Sequence, residues 1–106
     1  MEKFTLIYRI LRFIELTADK DEFDASAFSE KHFDVTKNEF LNALEMIIDA
    51  KYVKGVELRE AVDWRIDLFI TRPKLTLDGL KFLATDEVMK REAQSAKGFN
   101  LNSLIT

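Results

Sequence analysis

Three groups of side chains in this sequence have the types and spacing that chemistry needs, and two of the groups lack parts. The single histidine, His32, stands between Glu30 and Asp34. An imidazole flanked by carboxylates can begin a metal site, but proximity in sequence alone does not assemble one. A turn or half-buried histidine is the simpler reading. Asp19, Asp21, Glu22 and Asp24 suggest a calcium loop, yet the central glycine and distal glutamate of an EF-hand are missing. A solvated acidic loop fits better. No glycine-rich phosphate loop and no serine elbow occur. The expectation is a protein without catalytic residues, metal or cofactor, and so not an enzyme.

The third group is polar and basic, and it suits nucleic acid. Thr36, Lys37, Asn38 and, one turn on, Asn42 stand at the head of a helical stretch. Asparagine can bond an adenine edge bidentately, and lysine can meet guanine or a phosphate. Lys54, Arg59, Arg65, Arg72 and Lys74 follow on a hairpin-like stretch, where cations grip phosphates without reading sequence. Acids oppose both sets. Glu45 and Asp49 continue the helical face, and Glu57, Glu60, Asp63 and Asp67 are interleaved with the hairpin cations.

These residues need elements to hold them. Phe4, Ile7, Leu11 and Ile14 form one stripe at helical spacing, and Leu6, Ile10 and Phe13 form a second. A helix apolar on two sides is packed centrally. "DASAFSEKHF" reads as a short helix capped by Asp24 or Ser26, with Ala27 and Phe28 inward. "DVTKNEFLNALEMIIDAKYV" is a longer helix in which Thr36 and Glu39 have capping-box spacing, with Phe40, Leu41, Leu44, Ile47 and Ile48 buried. In "YVKGVELR", Tyr52, Val56 and Leu58 share a face. In "WRIDLFIT", Trp64, Ile66, Leu68 and Ile70 do so. A turn around Glu60 to Asp63 would close them into a hairpin.

Pro73 lacks a ladder donor and should mark the point where the chain leaves the hairpin. Thr76 can then cap a helix whose first turn contains Gly79, a residue costing up to ~1 kcal/mol against alanine. Close approach of another element would explain it. A break at Ala84 to Glu87 and a further helix to about Lys97 should follow, with Gly98 as the stop signal. The expected core holds Phe4, Ile7, Leu11, Phe28, Leu44, Ile48, Trp64, Ile66, Leu80 and Leu83.

Composition sets the outer limits. The 106 residues suffice for one domain, and 47% hydrophobic with 33% charged residues describes an ordinary globular chain. The absence of cysteine rules out disulfides and fits a cytoplasmic setting. No apolar run approaches the ~18 residues of a membrane span. The net charge of −3 divides unevenly: residues 1–50 carry 6 basic and 11 acidic side chains, residues 51–106 carry 10 and 8. Affinity for a polyanion must therefore come from the second half.

Helix, short helix, capped helix, hairpin and C-terminal helices form the order of an α+β winged helix-turn-helix. "KLTLDGLKFL" looks like the segment that follows the wing in many bacterial winged-helix proteins. With "MKREAQSAKG" shortly after, the chain resembles the YjcQ-like family of bacterial and phage proteins. The likeness covers most of the chain in element order and about residues 74–98 in motif. It implies the fold and brings no functional residues with it.

Two functions are then open. One is a DNA-binding winged helix, a small bacterial or phage transcriptional regulator. The other is a winged-helix module that binds protein instead. The domain should span residues 1–98, leaving the apolar tail "FNLNSLIT" at 99–106. That tail either folds back on its own domain or packs, with the last helix, against a second copy in a two-fold dimer.

Overall fold

The computed structural model describes residues 2–18 and 25–85. They form helix α1 (Lys3–Thr17), a single 3-10 turn (Ala25–Ala27), helix α2 (Lys37–Asp49), strands β1 (Val53–Glu60) and β2 (Ile66–Leu75), and helix α3 (Leu77–Thr85). The strands pair antiparallel in a two-stranded sheet. The class is α+β, with helices, turn and hairpin in a winged-helix-like arrangement. The acidic loop at 19–24, the further helix expected to about Lys97 and the apolar tail lie outside the described residues.

Helix α1 is central, as its two stripes require. Glu2 caps it, its carboxylate accepting from the Phe4 and Thr5 amides at 3.2 and 3.1 Å. Leu6, Ile7, Tyr8, Ile10, Leu11, Phe13 and Ile14 are all buried, and so is Arg9. Burial lowers the Arg9 pKa. Each such aliphatic or aromatic side chain contributes about 1.5–3 kcal/mol when fully removed from water.

The segment before α2 departs from expectation. Only Ala25–Ala27 is helical, as one 3-10 turn, and the chain then turns through Asp34. Phe28 and Phe33 are both buried, beside Phe13 and Phe40. Residues five apart do not share a helix face, so a regular helix here would not aim both rings at the same pair, Phe13 and Phe40. The turn ends in a Schellman closure: the Asp34 amide bonds Lys31 O and the Val35 amide bonds Glu30 O, with Asp34 left-handed at φ 57°. His32 is half-buried, its ring edge-on to Phe13 and Phe33.

Helix α2 buries Phe40, Ala43, Leu44 and Ile47, with Leu41 and Ile48 half-buried. A second Schellman closure stops it without glycine. The Lys51 amide bonds Ile48 O and the Tyr52 amide bonds Ile47 O, with Lys51 at φ 61°.

The hairpin is longer than the alternation implies. Its register runs from Glu60 opposite Ile66 to Val53 opposite Leu75, with an irregularity between Lys54 and Val56. Gly55 sits there at φ +79°, and any side chain would run into the backbone oxygens of Thr71 and Arg72. This bulge puts Val53 and Val56, an odd and an even position, into the core together. Pro73 is buried opposite it, inside β2, so the chain does not leave the hairpin at Pro73. In a two-stranded sheet each strand has a free edge, which tolerates the missing donor.

Three expected core residues are exposed. Trp64 is 82% exposed, because the strand begins only at Ile66. It lies in a five-residue connection closed by the Ala61 amide on Arg65 O and the Trp64 amide on Ala61 O, at φ 65°. Leu80 is 42% exposed because α3 turns Gly79, Phe82 and Leu83 inward. Phe4 is 53% exposed in the first turn of α1, on the rim of an apolar hollow of about 160 Å³ with Met46, Tyr52 and Phe82.

Thr76 and Gly79 behave as their positions require. The Thr76 hydroxyl accepts from the Gly79 amide at 3.2 Å and donates to Lys51 O at 2.6 Å. The Thr76 amide bonds Tyr52 O at 2.9 Å. A Cβ on Gly79 would fall well inside contact distance of that same Tyr52 oxygen. Glycine to alanine in an open helix gains up to ~1 kcal/mol. Gly79→Ala should instead destabilise, by about 1–3 kcal/mol from overpacking, seen as a lower urea midpoint. An unchanged or raised midpoint would show that α3 does not pack this closely.

Candidate nucleic-acid interface

The head of α2 is built by a complete capping box. The Thr36 hydroxyl oxygen accepts from the Glu39 amide, and the Glu39 carboxylate accepts from the Thr36 amide, both at 3.2 Å. Thr36 therefore serves the helix, and what it presents are Lys37 and Asn38. Both are exposed, as is Asn42 one turn on. The bond from the Thr36 amide holds the Glu39 pKa below its usual value. Beyond them, exposed Glu45 and Asp49 complete the same stripe.

The five hairpin cations divide into two kinds. Arg59 is engaged by Glu57, at 3.1 Å from Nε and 2.8 Å from Nη2, and its guanidinium lies 4.3 Å over the Phe69 ring. Arg65 stands between Asp67 at 3.2 Å and Asp63 at 3.9 Å. These two arginines near the hairpin tip are thus neutralised by their own neighbours. Lys54, Arg72 and Lys74 are exposed at the other end and have no carboxylate partner among the described residues. Lys54 and Lys74 are directly opposite each other in the register. Val53 and Leu75 next to them face the core or its margin, so the lysines point outward. Arg72, left-handed at φ 48°, occupies the irregular stretch beside them.

Lys51 belongs with this second set, and no motif in the sequence marks it. It is exposed in the turn that leads from α2 into β1. Its carbonyl holds Thr76, so the residue is fixed at the hairpin base. Only the expected junction between helix and strand could have pointed to it.

Between α2 and the hairpin lies a groove of about 370 Å³. Asn38, Asn42, Glu45 and Asp49 line one wall, and Leu58, Arg59, Glu60 and Ile66 the other. The structure thus brings Asn38 and Asn42 near Arg59, and leaves Lys54, Arg72 and Lys74 outside the groove.

Helix, turn, capped helix and hairpin in this order, with exposed amides at the head of the capped helix, define a winged-helix-like protein. Residues 8–100 match the family model described as YjcQ protein, and the chain belongs to that family. Neither curated proteins nor solved structures yield a match. No described helix is long and apolar enough to cross a membrane.

The capping box makes a pH-dependent contribution whose sign follows from Glu39. Its pKa is lowered in the folded chain, so its stabilisation is present at neutral pH and disappears as pH falls through the lowered value. Glu39→Gln, compared with wild type by urea unfolding across the acid range, should remove that part of the acid sensitivity. Thr36→Ala should cost about 1 kcal/mol at neutral pH. Equal acid sensitivity in wild type and Glu39→Gln would mean that the carboxylate does not cap α2.

Proposed function

We propose that this protein binds double-stranded DNA as a small transcriptional regulator and catalyses no reaction. One observation carries the reading: Lys54 and Lys74 face each other across the hairpin with Arg72 beside them and no carboxylate in reach among the described residues. Like charges directly opposite on a sheet destabilise it. Elsewhere on the same hairpin each arginine has an acidic neighbour, so the uncompensated end is where an anion would be welcome. Phosphates of a duplex supply it, and such contacts position a protein without reading sequence. Reading falls to Lys37, Asn38 and Asn42 at the exposed head of α2. Arg59 and Arg65 contribute less, because the adjacent carboxylates of Glu57, Asp63 and Asp67 offset their charge and repel a phosphate.

Titration with a random duplex at low salt tests this. The variant carrying Lys54→Gln and Lys74→Gln should bind all sequences more weakly. Its salt dependence should flatten by about one unit of slope for each phosphate that it no longer neutralises. Arg59→Ala with Arg65→Ala should change the slope less. Asn38→Ala should relax sequence preference instead. No binding by the wild type at low salt would overturn the reading.

A second copy would extend it. Two-fold association through the end of the chain places two α2 helices for neighbouring half-sites. Truncation after Lys97 should then convert dimer to monomer in light scattering. A full-length chain that is monomeric at high micromolar concentration removes this extension and leaves the monomeric reading.

A further inference from the structure

The groove between α2 and the hairpin has the wrong charge for phosphate. Its floor is apolar and half-buried, from Leu41 and Ile48 on α2 and Leu58 and Ile66 on the strands. Its rim carries Glu45, Asp49 and Glu60, all exposed and none with a cationic partner among the described residues. Arg59 is the only basic side chain lining it among the described residues, and Glu57 already engages that guanidinium. Glu45 and Asp49 stand four residues apart on one helix face, a like-charge spacing that costs stability in the free protein. A volume of about 370 Å³ over an apolar floor is the size of a small ligand pocket or of a few peptide side chains.

We propose that this groove docks a basic amphipathic segment of a partner protein, with aliphatic side chains on the floor and Lys or Arg ammonium or guanidinium groups on the three rim carboxylates. The occupant follows from charge complementarity. Nucleic acid would be repelled by the rim, and a purely apolar segment would leave the carboxylates unanswered and partly desolvated. A cationic segment relieves the Glu45–Asp49 repulsion while covering the floor, in the manner of helix-in-groove recognition. The proposal does not rest on DNA binding, since it uses no hairpin-base lysine.

Titrating the isotopically labelled full chain with a capped peptide of leucine and lysine at helical spacing tests it by NMR. The expected shifts fall on the side-chain amides of Asn38 and Asn42 and on the backbone of Leu58 to Glu60 and Ile66. A peptide of the same composition in scrambled, non-amphipathic order, and one with glutamate for lysine, should bind far more weakly. Replacing the rim with Glu45→Gln, Asp49→Asn and Glu60→Gln should weaken the first peptide by about tenfold. These residues are exposed, so the variant should stay folded, which its own spectrum checks. Shifts outside the groove, equal binding of the scrambled or glutamate peptide, or undiminished binding to the rim variant would each overturn the proposal.

Discussion

The contact between Gly79 and the Tyr52 carbonyl decides how the rest of the molecule is arranged. Tyr52 is the residue before β1, and Thr76 the residue after β2. The Thr76 amide on Tyr52 O and the Thr76 hydroxyl on Lys51 O therefore tie the two ends of the hairpin together at its base. The same two carbonyls lie just past the last turn of α2, so the clamp also fixes where that helix ends. Because Gly79 has no side chain, α3 can lie directly on this junction, and the Tyr52 and Phe82 rings meet beside it, tilted by 35° with centroids 5.2 Å apart. Helix α2, the hairpin and α3 thus meet at one small site. The orientation of the helix head relative to the hairpin cations is set there.

Much of this was legible where one residue type answers one physical need. The Thr36–Glu39 spacing announces a capping box, and both of its hydrogen bonds exist. A glycine in a first helical turn signals close approach, and the approach is to Tyr52. The double stripe of α1 marks a central helix, and the helix is buried nearly all round. Hydrophobic period does not locate the ends of elements. Alternation from Trp64 to Ile70 begins two residues before the real start of β2, because periodicity cannot tell a strand's end residue from a loop residue of similar type. Phe28 and Phe33 show the converse. Their spacing puts them on different faces of a regular helix, and the chain leaves the helix to bring both rings against the same pair, Phe13 and Phe40. The bulge was hidden as well, since Gly55 gives no sign in sequence of which two flanking residues it turns to the same side.

The candidate site was legible in its residue types and not in its pairings. Nine polar or basic positions read alike in a string of letters, yet the fold treats them differently. Thr36 is consumed by the cap. Arg59 and Arg65 are consumed by Glu57, Asp63 and Asp67. Cross-strand register depends on the bulge and on the length of the turn, and both are needed to set Lys54 against Lys74. Interleaved acids therefore weaken the hairpin tip as a polyanion site without touching its base.

Charge sign consequently changes over a short distance, from the basic hairpin base to the acidic end of α2. With a net charge of −3, the chain as a whole repels a polyanion, so only a local cluster can draw one in, and it must do so in a defined orientation. Lys51, Lys54, Arg72 and Lys74 form that cluster at the hairpin base. The stripe Asn38, Asn42, Glu45, Asp49 begins in amides and ends in carboxylates, so α2 cannot lie flat along a row of phosphates without setting two acids against them. A duplex would have to meet α2 head first, with the acidic end of the helix lifted away. A cationic segment faces no such restriction, because it meets the acidic end and the apolar floor together. Asn38 and Asn42 border both approaches, and occupation of the groove would cover the same amides that a base edge needs.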